Sequence, residues 1–82
     1  MKNNEKIEIY GICQALQMET EKLYGMIKCN PKLAHELGIF SLAHGIFTAA
    51  LYAANWADIV EETDLADAIH KSCEKLSKVA EI

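Results

Sequence analysis

The apolar positions along the chain fall into three blocks, each with a helical period. In the first, Ile9, Cys13, Leu16, Thr20, Leu23 and Ile27 step by alternating fours and threes, a spacing that keeps them on one helical face. Glu5, Glu8, Glu19, Glu21 and Lys22 lie on or near the opposite side. The pattern predicts an amphipathic helix over about 5–28, capped by Asn3 or Asn4. Cys29-Asn30-Pro31 then breaks it, because Pro31 disfavours helical geometry at Asn30 and suits the first turn of a new helix. So short a turn, 29–31, predicts an antiparallel helical hairpin.

The second block is apolar nearly all round. Gly38 to Ala57 contains no Asp, Glu, Lys or Arg. Leu33, Leu37, Phe40, His44, Phe47, Leu51, Ala54 and Asp58 repeat the four-three spacing and predict the inner face of a central helix over about 32–60. Ser41, Gly45, Ala49, Ala53 and Ala57, each four apart, form a second stripe whose small side chains let another helix approach closely. A helix of this kind must be covered on nearly every side. Two flanking helices in a chain of 82 residues are too few to do so.

The expected fold is therefore all-α: a helical hairpin plus a third C-terminal helix, completed as a bundle by homo-oligomerisation. Ser41, Gly45, Ala49, Ala53, Ala57 and His44 are the expected interface, and a two-fold dimer is the commonest closed assembly. The central helix has two candidate ends. One makes Asn55 a new cap, with Asp58 in the next first turn; the other, favoured here, turns near Glu61 to Thr63. The third block then runs over about 64–81, with Leu65, Ile69, Cys73, Leu76 and Ala80 on one face. Asp67–Lys71 and Glu74–Lys78 are i, i+4 pairs on this segment.

Composition narrows the function. The chain is one domain, residues 1–82, with net charge −4 and no Arg among its basic residues. Without the bidentate grip of Arg on phosphate and guanine, an acidic chain is not expected to bind nucleic acid directly. Three cysteines with no Cys-x-x-Cys pair point to reduced thiols, and the charged N-terminus lacks a signal-peptide core. A cytoplasmic protein is expected. The central stretch has the length of a membrane span, about 20 residues, but His44, Thr48 and Asn55 and its Ala and Gly content argue against one.

Chemistry is sparse. No Ser-His-Asp spacing, Gly-rich phosphate loop or zinc spacing is present, so no catalytic residue is assigned and no enzyme is expected. Asp67-Ala-Ile-His70 is a single copy of a Glu-x-x-His pattern with Asp for Glu, too little to imply a metal or cofactor. His44 reads first as a core histidine bonded to Tyr, Thr or a carbonyl, and second as a ligand, pH switch or registry device. Asp58, Glu61, Glu62, Asp64 and Asp67 form a run with no basic residue, either a solvated corner or a docking patch for a basic protein. Tyr52 and Trp56 are candidate contact residues.

Together these features describe a small cytoplasmic protein-binding regulator, adaptor or inhibitor that acts as a homo-oligomer. One alternative is a small-molecule- or metal-binding oligomer with its site at the subunit seam, near His44, Tyr52 and Trp56. Another is a small membrane-associated protein.

Overall fold

The computed structural model describes residues 2–82. They form four helices: α1 (Asn3–Cys29), α2 (Pro31–Glu36), α3 (Ile39–Ile59) and α4 (Thr63–Ala80). The start of α1 packs with the end of α3 and the start of α4, around Cys13, Ala53 and Ile69. The end of α1 packs with the start of α3 and the end of α4, around Ile27, Ala43 and Leu76. The three long helices thus run up, down and up in a narrow bundle 45 × 18 × 16 Å, with α2 as an elbow between the first two.

Local chemistry sets the corners. Asn30 closes the first one: its side-chain oxygen accepts from the Leu33 N–H at 3.1 Å, with Pro31 in the first turn of α2. The expected unbroken helix over 32–60 is two helices, because Gly38 takes φ +71° and its N–H bonds to the His35 carbonyl. A glycine in this left-handed conformation is a common helix stop. It is easily missed here because apolar sequence resumes at once. The last corner lies at Val60 to Glu62 rather than at Asn55, with Glu61 at φ +66° and the Glu62 N–H bonded to the Ala57 carbonyl at 2.8 Å.

The core follows the expected faces of α1 and α4. Cys13, Thr20, Leu23 and Ile27 are buried on α1, and Ile69, Cys73, Leu76 and Ala80 on α4. The buried face of α3 is instead almost wholly alanine: Ala43, Ala50, Ala53, Ala54 and Ala57. Of the face expected from spacing, Ala54 alone is buried. Phe40 and Phe47 are half-buried, and Leu33, Leu37, His44, Leu51 and Asp58 are exposed. The reason is steric. A helix apolar on every side offers periodicity no single face to select. Close approach to both α1 and α4 selects the smallest side chains.

That closeness shows at Cys13, whose thiol donates to the Ala53 carbonyl at 3.2 Å, directly from side chain to the backbone of the next helix. Buried hydroxyls are also satisfied. Thr20 Oγ1 donates to the Leu16 carbonyl at 2.7 Å, and Ser72 Oγ accepts from Gln17 Nε2 at 3.1 Å. At the surface, Lys75 reaches from α4 to Glu21 on α1 at 2.6 Å and lies 4.9 Å from the centre of the Tyr24 ring. The hydrogen bond from Lys75, and then that from Ser72, hold the Glu21 carboxyl below its ordinary pKa.

Candidate interaction surface

With alanine turned inward, the large apolar side chains of α3 face out. Leu42 is 53% exposed, Tyr52 63%, Trp56 41% and Ile59 63%. Ser41, Gly45, Thr48 and Asn55 share this outward side, and Asp58 is the one formal charge on α3. Gly45 is notable, since a mid-helix glycine costs about 1 kcal/mol relative to alanine. A Cβ built on it would meet nothing within 4 Å. The same holds at Gly11 and Gly25 of α1.

The small-residue stripe does not lie on one face. Residues four apart drift by about 40° per step on a helix of 100° per residue, so the stripe winds from outside to inside. Ser41 and Gly45 are exposed, Ala49 is half-buried, and Ala53 and Ala57 are already used in the core of the single chain.

His44 is exposed rather than a core histidine. It lines an open groove of about 870 Å³ at the elbow, with His35, Phe40 and Val79. The His35 ring meets Phe40 edge-on, 5.8 Å between centroids. Tyr52 lies in a different depression, of about 430 Å³, with Thr48, Leu51 and Asn55. Within the single chain, His44 and Tyr52 thus line separate depressions, and Trp56 lines neither of them. Among the described residues, no cluster of three or more His, Cys, Asp or Glu could hold a metal ion. Nor is any described helix long and apolar enough to cross a membrane.

Asp58, Glu61, Glu62, Asp64 and Asp67 are all exposed and sit around the α3–α4 corner, so the fold does gather the acidic run at one end of the bundle. Trp56 is one helical turn away from that corner.

The cysteines divide by position. Cys13 and Cys73 are buried, and desolvation raises both thiol pKa values; Cys29 is exposed at the end of α1. In native protein, one thiol of the three is expected to react rapidly with Ellman's reagent, and the other two only in urea. Fast modification of all three would mean that the core opens readily.

Sequence reasoning missed two features, the exposure of Leu42, Leu51 and Ile59 on α3 and the elbow groove. The signal for the first was the alanine-rich repeat itself, which marks a closely packed inner face. No protein-family model, curated protein or solved structure matches this chain.

Proposed function

We propose that this chain is a small cytoplasmic protein-binding regulator or adaptor that works as a homo-oligomeric helical bundle. The observation that supports it is the outward side of α3, uncharged over most of its length and rich in exposed Leu, Tyr, Trp and Ile. Contiguous exposed apolar surface of this kind marks interaction sites, and Tyr and Trp are frequent anchors of protein contacts. The acidic corner then remains available to a partner protein with a basic surface.

Native mass spectrometry of untagged protein tests this reading. The expected result is an oligomer with no added mass, whose immobilised form retains a basic protein in a salt-sensitive way. A monomer that carries a tightly held small molecule would overturn it and shift attention to the groove beside His35 and His44.

A further inference from the structure

We infer that two copies of the chain pair through α3 in antiparallel orientation, with Ile59 of each over Ser41 of the other. This rests on the homo-oligomer reading above and specifies its geometry. Along the exposed side of α3, Ser41, Gly45, Thr48, Tyr52, Asn55 and Ile59 follow four-three-four-three-four spacing, which places them on one helical face.

The seam is lopsided. Its first half is small and its second half large. An antiparallel pair centred near Ala50 sets Ile59 on Ser41, Asn55 on Gly45 and Tyr52 on Thr48, so every layer matches large with small. A parallel pair would oppose Tyr52 to Tyr52 and leave a void at Gly45.

Charge selects the same orientation. The end holding the α3–α4 corner and the start of α1 carries seven carboxylates and two lysines; the rest carries five carboxylates and six lysines. Antiparallel pairing sets the acidic end of each copy beside the nearly neutral remainder of the other and keeps the two acidic ends apart. Parallel pairing would stack the two acidic ends. The exposed parts of Tyr52, Trp56 and Ile59, on or beside this face, contribute roughly 400 Å² per chain, half of the ~800 Å² per partner in a standard interface.

Disulfide trapping reads the register. In a Cys29→Ser background, one chain carries Ser41→Cys and another Ile59→Cys, and the mixture is oxidised mildly. Residues 41 and 59 lie about 27 Å apart along a helix, so antiparallel pairing predicts the mixed disulfide and little of either homodimer. Gly45→Leu, free of contacts in its own chain, is expected to weaken dimerisation at least about tenfold with helix content unchanged. Disulfide homodimers of each cysteine variant would overturn the antiparallel arrangement. A native dimer that neither cross-links nor responds to Gly45→Leu would place the contact elsewhere and leave the homo-oligomer reading standing. A monomer at every concentration would overturn both.

Discussion

Leu76→Ala is expected to destabilise the fold by about 2–5 kcal/mol, the usual range for emptying a buried leucine site. Leu76 is fully buried on α4 in the cluster that holds Leu23 and Ile27 of α1 and Ala43 of α3. Its fully buried neighbours from α2 and α3 in that cluster are Ala34 and Ala43, while Ile39, Phe40, Ile46 and Phe47 of α3 pack at the cluster's edge. Single domains of this size stand near the lower part of the 5–15 kcal/mol stability range, so the variant should lose a large fraction of its stability. Urea denaturation checks this. A loss under about 1 kcal/mol would mean that the helices slide together and close the space.

Ala53→Leu should fail for the opposite reason. The Ala53 carbonyl is 3.2 Å from the Cys13 sulfur, and its own side chain is fully buried in the seam of α3. Three more carbons there must push α3 outward or force strained rotamers, at about 1–3 kcal/mol or more. Ala15→Leu is the control, because Ala15 is exposed on α1 and a surface change of this kind falls within about 0.5 kcal/mol of neutral. Thermal unfolding of the pair should separate them clearly. Equal melting temperatures would show that α3 is held loosely and that its inner face is not close-packed.

The two variants also mark where the sequence was readable. On α1 and α4, charged residues occupy one side, so the apolar face could be assigned by exclusion. Cys13, Leu23, Ile27, Ile69 and Leu76 are buried where their spacing put them. On α3 no charge excludes any side before Asp58, and counting apolar residues favoured Leu51 and Leu37 over Ala50 and Ala57. What decided the matter was side-chain volume at a close helix crossing, which periodicity does not measure. Gly38 is a related case. Glycine inside an apolar run is compatible with either a helix interior or a left-handed stop, and the choice depends on how α2 must turn to bring α3 back along α1. Of the candidate contact residues, Tyr52, Trp56 and the five acidic residues are exposed, as a binding role requires. Ala53 and Ala57 are not, because the chain uses them in its own core.

The alanine seam also bears on how stability varies with temperature. The heat-capacity change of unfolding scales with the apolar area that becomes wet. Here the fully buried side chains of α3 are methyl groups, while Leu42, Tyr52, Trp56 and Ile59 are wet already. A single chain is therefore expected to have a reduced heat-capacity change for its length and a broader stability curve. If two copies join along α3, much of the missing term belongs to association, and the curvature of stability with temperature becomes a property of the pair.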